Sequence, residues 1–202
     1  MRLRGRAYYE QDDYDKALAD LNEAIQLDPK DAEAFLNRGL IHYELNALDK
    51  AIADYTQAIQ LDPENAEALQ DRATAYAEKK DFDNALRDCN EAIRLEPKVF
   101  DAYACRARVY LARGELEKAL ADSNELIRRD AEDAESFFLR GSVYAAQKNW
   151  QDAIAAYTEA IRLDDKYADA YSRRAAAYLE TGGADKAKAD LQKLNELQGT
   201  GT

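Results

Sequence analysis

The sequence repeats itself every 34 residues, and this period constrains the fold more than any other feature. The triplet Leu27-Asp28-Pro29 returns as Leu61-Asp62-Pro63 and again as Leu95-Glu96-Pro97. Alanine fills one slot of all six units, and tyrosine fills another slot in five of them, with histidine in the sixth. These two sets are Ala17, Ala51, Ala85, Ala119, Ala153 and Ala187, and Tyr8, His42, Tyr76, Tyr110, Tyr144 and Tyr178. A fixed period of this length indicates a stack of similar supersecondary units rather than one globular core.

Each unit divides into two stretches of about a dozen residues with helical periodicity. In the second unit, Phe35 and Gly39 share a stripe of the first stretch, and Ala51 and Tyr55 share a stripe of the second. Pro63 cannot continue a helix and restricts the residue before it, so it is predicted to end the second helix. One helix pair cannot bury its apolar face alone, so the units are predicted to stack on one another.

The slots resemble those of the tetratricopeptide repeat (TPR), whose pattern is W-x2-L-G-x2-Y, then A-x3-F, then P. In the second unit they carry Phe35, Gly39, His42, Ala51, Tyr55, Ala58 and Pro63. The resemblance extends over six tandem units and implies an all-α fold, a right-handed α-solenoid (superhelix) of tandem antiparallel helix pairs. It implies a single array over residues 1–198, followed by a disordered tail at 199–202. The expected units are about 1–31, 32–65, 66–99, 100–133, 134–167 and 168–198.

The chain departs from the family pattern at the leucine slot of the first helix, where every unit carries arginine. The second helix carries aspartate at a fixed slot in five units, with Ala156 in the other. These sets are Arg4, Arg38, Arg72, Arg106, Arg140 and Arg174, and Asp20, Asp54, Asp88, Asp122 and Asp190. Charge in a helix seam is costly unless it is paired, so we predict arginine–aspartate pairs across helices. The alternative is that arginine stems pack while their heads reach water.

The pattern leaves open whether such pairs form within a unit or between neighbouring units. Pairing within a unit would leave Arg140 without its aspartate, because Ala156 stands at that slot. Pairing from one unit to the next would instead leave Arg174 without one. Either arrangement predicts a structural role for these charges rather than a chemical one.

Composition excludes several classes of function. The 202 residues include 28 Lys and Arg against 40 Asp and Glu, a net charge of −12. That balance argues against binding nucleic acid or an anionic membrane, and a basic or mixed-charge protein is the easier partner. An acidic surface also simply aids solubility. No run of about 18 apolar residues occurs, which predicts no membrane insertion. The N-terminal residues 1–6 lack the apolar core of a signal peptide, so the default expectation is a cytoplasmic location.

Residues for catalysis are scarce. The single histidine, His42, stands in the tyrosine slot of the helix seam, where a packed structural role is expected rather than a catalytic base. Two cysteines, Cys89 and Cys105, with one histidine are too few for a zinc site or a disulfide framework. No phosphate-binding glycine loop occurs. We therefore predict no enzymatic activity, no cofactor and no metal.

In the TPR family, the first helices of successive units line a concave groove that holds partners. Carrying the groove slots onto this chain gives candidate partner-binding residues on all six units. They are Tyr9, Leu36, Asn37, Leu40, Tyr43, Gln70, Asp71, Thr74, Arg108, Phe138, Leu139 and Arg173. The apolar members, Leu36, Leu40, Tyr43, Phe138 and Leu139, are predicted to be exposed anchors. The alternative is that Leu40 or Leu139 packs against a neighbouring helix.

Some family members hold the acidic tail of chaperones in a carboxylate clamp. The matching slots here carry Glu67 and Asp71, which have the wrong charge, or Leu139, so no register completes the clamp. Two hypotheses for the function remain. One is a scaffold that binds a protein or peptide in the groove. The other is a self-associating structural module, a homo-oligomer formed through the groove or the edge of the array. The expected state of the chain is a monomer or a weak homodimer.

Overall fold

In the computed structural model, the described residues 1–199 form twelve α-helices and no strand. The helices are α1 (Arg2–Tyr9), α2 (Tyr14–Leu27), α3 (Ala32–Glu44), α4 (Leu48–Leu61), α5 (Ala66–Glu78), α6 (Phe82–Leu95), α7 (Phe100–Ala112), α8 (Leu116–Arg129), α9 (Ala134–Ala146), α10 (Trp150–Leu163), α11 (Ala168–Glu180) and α12 (Ala184–Leu197). Odd-numbered helices are the first helices of the repeats and even-numbered helices are the second. The predicted all-α fold of helix pairs is confirmed. Of the predicted tail, Gly199 lies in the turn after α12, and residues 200–202 lie outside the described residues.

The chain divides into two compact units, Met1–Cys105 and Arg106–Thr202. In the first unit, α1 packs on α2, α3 on α4 and α5 on α6, and the first helices α1, α3 and α5 contact one another in order. In the second unit, α9 packs on α10 and α11 on α12, and the first helices α9 and α11 contact each other. First helices therefore share a continuous surface in each unit, which we call the first-helix face.

Each helix pair closes on a small residue of the first helix that faces a larger residue of the second. A Cβ atom added at Gly39 would lie 2.6 Å from the ring of Tyr55, and one at Gly141 would lie 2.6 Å from the ring of Tyr157. Both rings are buried. Where the second-helix slot holds a smaller residue, the first-helix slot holds alanine instead of glycine. These matched slots are Ala73 with Cys89 and Ala107 with Ser123, all buried. In these four repeats the two slots thus vary together, with glycine opposite the tyrosine ring and alanine opposite a small residue.

The turn inside each helix pair needs a left-handed residue at one slot. The six residues there are Asp12, Asn46, Lys80, Gly114, Lys148 and Gly182, with φ from +55° to +79°. In the second repeat, the Ala47 N–H donates to the His42 carbonyl and the Asn46 N–H to the Tyr43 carbonyl, both at 2.8 Å. This is the Schellman arrangement that closes a helix C-terminus. The recurrent tyrosine or histidine slot therefore marks the last turn of every first helix.

The predicted stop before proline is confirmed, since α4 ends at Leu61, two residues before Pro63. Proline is not essential for that stop. Helix α10 ends at the equivalent slot, Leu163, although Asp165 stands in the proline position. Asp62 follows α4 with φ −133°, and Asp164 follows α10 with φ −132°. The chain therefore leaves the helix in extended form in both repeats.

The predicted arginine–aspartate pairs are confirmed, and they form within repeats. In the second repeat, Arg38 Nε and Nη2 donate to the two carboxylate oxygens of Asp54 at 2.8 and 2.6 Å. The same two-bond geometry joins Arg4 to Asp20, Arg38 to Asp54, Arg72 to Asp88, Arg106 to Asp122 and Arg174 to Asp190. The five aspartates are only 1–6% exposed. Two parallel bonds to a buried carboxylate fix the angle between the two helices of a repeat.

Arginines of this set also reach back to the preceding repeat. Arg72 Nη1 donates to Thr56 Oγ1 at 3.1 Å, and Arg174 Nη1 donates to Thr158 Oγ1 at 3.0 Å. Arg38 Nη1 makes the equivalent bond to Asn22 at 2.7 Å. One guanidinium thereby connects three helices, which explains why a charged residue replaces the apolar residue of the family pattern.

Arg140 has no aspartate partner in its own repeat, as pairing within repeats predicts. Its Nε atom is buried and has no hydrogen-bond partner among the described residues. The guanidinium carbon lies 5.0 Å from the centroid of the Phe137 ring, which gives it a cation–π contact instead. The missing partner is the aspartate that Ala156 replaces, and Ala156 is itself only 1% exposed.

Candidate functional site

The first-helix face of the first unit consists of α1, α3 and α5. It carries eight of the predicted partner-binding residues: Tyr9, Leu36, Asn37, Leu40, Tyr43, Gln70, Asp71 and Thr74. Leu36 and Asn37 are buried, and the other six are half-buried. The sequence therefore places these side chains on a shared set of helices, but none of the eight is fully exposed.

The expectation that Leu36 is an exposed anchor is wrong. Leu36 is 4% exposed and belongs to a core cluster with Tyr55 of α4 and Ala68 of α5. It fills the space where three helices meet, because small alanines on α5 let that helix approach closely. Leu40 packs against the same cluster and is half-buried, which favours the alternative of packing on a neighbouring helix.

Asp71 is the polar residue of this face with the least satisfied environment. Its Oδ2 atom is buried and accepts no hydrogen bond from any residue that the structure describes. Its Oδ1 atom accepts only a long bond of 3.4 Å from Gln70 Nε2. Burial, followed by the charges of the nearby carboxylates Glu67 and Asp101, raises the pKa of Asp71 to about 7. The carboxyl group is thus surrounded by like charge rather than by a cation.

Tyrosines border this carboxyl group. The hydroxyl of Tyr43 donates to a carboxylate oxygen of Glu78 on the next first helix. Burial raises the pKa of Tyr9, and the charges of Glu44 and Asp71 add to the rise. Burial likewise raises the pKa of Tyr55, with Asp71 the next contributor. The face of the first unit is therefore acidic and aromatic.

Asn37 stands one repeat before Asp71, at the same slot of the preceding first helix. It is 9% exposed, and its Nδ2 atom is buried without a hydrogen-bond partner among the described residues. Buried polar groups are nearly always paired, and an unpaired one costs free energy in the isolated protein. Two successive repeats thus each present an unsatisfied polar atom at one slot.

The second unit carries a cavity of about 590 Å³ on its first-helix face. Most of its wall is apolar: Leu111, Phe138, Leu139, Ala145, Ala146, Trp150, Tyr157, Ala176 and Ala177. The polar members are Arg108, Glu135, Ser142, Arg173 and Glu180. We call this the Phe138 cavity. It brings together four of the predicted partner-binding residues, Arg108, Phe138, Leu139 and Arg173.

Aromatic contacts hold Phe138 in the cavity wall. Its ring centroid lies 5.7 Å from that of Tyr157 and 5.0 Å from that of Tyr167. The Tyr157 hydroxyl lies 3.4 Å from Ser142 Oγ, on the first helix that carries Phe138. Phe138 remains half-buried, whereas Leu139 is 4% exposed, so the alternative of a packed position holds for Leu139.

Charged groups surround the apolar wall. Arg108 forms an ion pair with Glu135 across the cavity lining. Arg173 is exposed and forms no ion pair among the described residues, and Glu180 is exposed as well. An apolar hollow with a few charged groups around it is the usual form of a site that binds a side chain of a partner.

Sequence reasoning placed only four of the lining residues in the site and missed the others, among them Trp150, Tyr157 and Ala176. Trp150 is the only tryptophan of the chain and begins a second helix, so the groove slots of the first helices did not include it. Tyr167, which packs on Phe138, was also missed. A signal was available there, because an aromatic residue precedes α11 where α3 and α9 are preceded by a capping aspartate.

Nothing in the described residues resembles a catalytic or metal centre. His42 lies 3.7 Å from the carboxylate of Asp54, in the helix seam, and burial lowers its pKa. Among residues 1–199, no group of three or more His, Cys, Asp or Glu side chains is arranged to hold a metal ion.

Across residues 1–199, every helix is too short or too polar to cross a membrane.

Comparison with known proteins gives family matches over most of the chain. Models of the family described as TPR repeat match residues 5–46 and 141–182. Models described as tetratricopeptide repeat match residues 32–65, 66–99 and 89–121. The matches at 32–65 and 66–99 have the same bounds as the second and third repeats of the sequence. No curated protein matches the chain.

Many solved structures have a similar fold. PilW, a type IV pilus biogenesis factor, has a TM-score of 0.89 at 18% identity, over 96% of this chain and 90% of PilW. A tetratricopeptide repeat protein from Parabacteroides merdae has a TM-score of 0.81 at 20% identity, over 98% of this chain and 82% of that one. YrrB, described as a TPR protein with an unusual peptide-binding site, has a TM-score of 0.67 at 22% identity, over 88% and 92%. Identities this low show the fold alone.

Proposed function

Because the chain belongs to the tetratricopeptide-repeat family, we propose that it is a protein-interaction scaffold that holds an extended segment of a partner protein on a first-helix face. The observation that carries this proposal is the Phe138 cavity, an apolar hollow of about 590 Å³ on the surface where the family places its ligands. A protein gains nothing in stability from leaving Phe138 half-buried beside open space, so an occupant from outside accounts for the cavity best.

The lining defines the occupant's chemistry. The volume admits a large apolar side chain such as leucine, phenylalanine or methionine together with adjoining atoms of its peptide, and the aromatic wall of Phe138, Trp150 and Tyr157 favours contact with it. Arg173 offers an exposed cation beside the opening, so an acidic group next to the apolar side chain completes the match. The segment we expect is an extended peptide with an apolar anchor flanked by a carboxylate.

The fold comparisons support a peptide ligand in a general way. YrrB is itself described as having a peptide-binding site, and its chain shares this fold. The ligand of this chain is inferred only from its own residues. The carboxylate-clamp slots hold Glu67 and Asp71, whose negative charge disfavours a ligand of several carboxylates in the first unit.

The test is selection of random dodecapeptides against the full chain, followed by affinity measurement for selected peptides. Ala176 is exposed and lines the cavity, so Ala176→Glu blocks the opening without disturbing the core. We expect it to weaken binding at least about tenfold, or about 1.4 kcal/mol. Ala155→Glu is the matched control, the same change at an exposed alanine of α10 away from the cavity, and should leave affinity unchanged.

Equal binding by the wild type and Ala176→Glu would remove the Phe138 cavity from the site. Sedimentation of the full chain without peptide separates this proposal from self-association. A concentration-dependent dimer that Ala176→Glu dissociates would mean that a second copy occupies the cavity.

A further inference from the structure

The first unit presents a different kind of unsatisfied surface, made of two polar atoms at one slot of successive repeats. Asn37 Nδ2 on α3 and Asp71 Oδ2 on α5 are both buried, and neither has a hydrogen-bond partner among the described residues. The slots are 34 residues apart, and α3 and α5 contact each other, so both side chains belong to the first-helix face. One atom is a donor and the other is an acceptor.

No cation of the same helix is available to Asp71. Arg72 is committed to Asp88 and Thr56, through bonds of 2.6 to 3.1 Å. Lys79 is paired with Asp49 of α4. The charged groups that act on Asp71 are the carboxylates Glu67 and Asp101. No cation is among the charged groups that act on Asp71, so a cation from a bound partner would be the first to pair with it.

The surroundings suit such a cation. Tyr9 and Tyr55 lie close enough to Asp71 for its charge to affect their hydroxyl groups. Tyr43 and Glu44 belong to the same neighbourhood, since both act on Tyr55 as well. Carboxylates together with aromatic rings attract ammonium and guanidinium groups by charge and by cation–π contact. The Tyr55 ring is buried, so the aromatic surface of this face comes from the half-buried rings of Tyr9 and Tyr43, close to the negative charge.

We propose that Asn37 and Asp71 form a receptor for a lysine or arginine side chain of a bound peptide. The half-buried Asp71 carboxylate accepts a hydrogen bond from the cationic head, and the Asn37 side-chain amide donates to a main-chain carbonyl of the same peptide. This inference rests on the proposed function, because it makes the first-helix face of the first unit a second peptide-binding surface. It also explains why two buried polar atoms are tolerated without partners in the isolated chain.

The first experiment repeats the peptide selection with the wild type, Asp71→Asn and a control. Asp71→Asn keeps the shape of the side chain and removes its charge. Asp15→Asn makes the same change on the exposed surface of α2. We expect lysine or arginine to be enriched at one position with the wild type and with Asp15→Asn, and the enrichment to vanish with Asp71→Asn.

The affinities of one selected peptide and its variant for the wild type and for Asp71→Asn then form a double-mutant cycle. Replacing its basic residue by norleucine should weaken binding to the wild type at least about tenfold and leave binding to Asp71→Asn unchanged. Lysine and arginine versions of the peptide show which cation the receptor prefers. Equal loss in the wild type and Asp71→Asn would overturn the proposal, because the basic residue would then bind elsewhere.

A direct measurement keeps the inference testable even without a selected peptide. The side-chain carboxyl ¹³C signal of Asp71 is followed while butylammonium or butylguanidinium chloride is added, with sodium chloride at equal ionic strength as reference. We expect a saturable shift with the organic cations only. The same response to sodium chloride, or no response, would overturn the receptor.

Peptides that depend on Ala176 but show no basic preference would overturn this inference alone. Absence of any peptide binding would overturn the proposed function.

Discussion

The two units of the chain use the same helix seam and expose different first-helix faces. In both, a glycine packs on a buried tyrosine ring, at Gly39 in the first unit and at Gly141 in the second. The residues at the first-helix face slots differ between the two units. The first unit presents Asp71 among tyrosines and acids, whereas the second presents the apolar Phe138 cavity with Arg173 beside it.

This difference shows which slots of a repeat are bound by packing and which are not. A seam residue packs between the two helices of a repeat, so its volume and charge must match a specific neighbour. A face residue contacts solvent or ligand, so it varies with the ligand. The comparison predicts that seam substitutions act alike in both units, and that face substitutions act in one unit only.

The largest expected effect belongs to the face of the first unit. The pKa of Asp71 in the folded chain is about 7, above its ordinary value of 3.8. The stability that the protonated carboxyl provides is fully present below about pH 4 and is lost as pH rises through 7. This loss reaches at most roughly 4 kcal/mol. Urea unfolding at about pH 4.5 and about pH 8.5 measures this loss. The free energy of unfolding of the wild type should fall between the two pH values relative to that of Asp71→Asn.

Asp15→Asn controls for the removal of one negative charge and should follow the wild type at both pH values. If the difference in the free energy of unfolding between Asp71→Asn and the wild type stayed constant with pH, the pKa of Asp71 in the folded chain would have its ordinary value. The two units would then differ in shape but not in the electrostatic character of their faces.

The next effect concerns the seam and should be the same in both units. Asp54→Ala and Asp122→Ala each remove the carboxylate that accepts two bonds from Arg38 or Arg106. Each leaves a half-buried guanidinium without its main partner, and we expect a loss of about 3 kcal/mol in the free energy of unfolding. Chemical denaturation of the two variants measures it. Losses that differ by more than about 1 kcal/mol would contradict the equivalence of the seams.

A smaller and equally shared effect is expected at the glycines. Gly39→Ala and Gly141→Ala each place a Cβ atom 2.6 Å from a tyrosine ring carbon, which forces the helices apart. Overpacking of this kind should cost about 2 kcal/mol in each unit. The matched background is Tyr55→Cys, which reproduces the combination of Ala73 with Cys89 in the third repeat. In that background Gly39→Ala should cost far less, and an undiminished cost would show that the tyrosine ring is not the obstacle.

The fold could be predicted from the sequence because seam slots repeat six times, and chance agreement at Ala17 through Ala187 is excluded by number alone. The charge pairs were predictable for the same reason, but their direction was not. Spacing permits pairing of Arg72 with either neighbour, and only the distance between helices selects Asp88. The face was predictable as a set of slots. The burial of Leu36 was not, because it depends on how closely α5 approaches α3, and the cavity was not, because Trp150 enters from a second helix.

The smallest effect tests the one seam slot that distinguishes the second unit. Ala156→Asp restores the carboxylate that Arg140 lacks, at a slot where the other five repeats place a buried aspartate. The new group pairs with a guanidinium that is already positioned by Phe137, so the gain from charged hydrogen bonds exceeds the cost of burying the carboxylate. We expect about 1 kcal/mol of added stability in urea unfolding. The gain should be absent in an Arg140→Leu background and absent for Ala155→Asp, which is exposed. Destabilisation by Ala156→Asp would mean that the fifth repeat has closed around alanine, so that its seam differs from the others in shape as well as in charge.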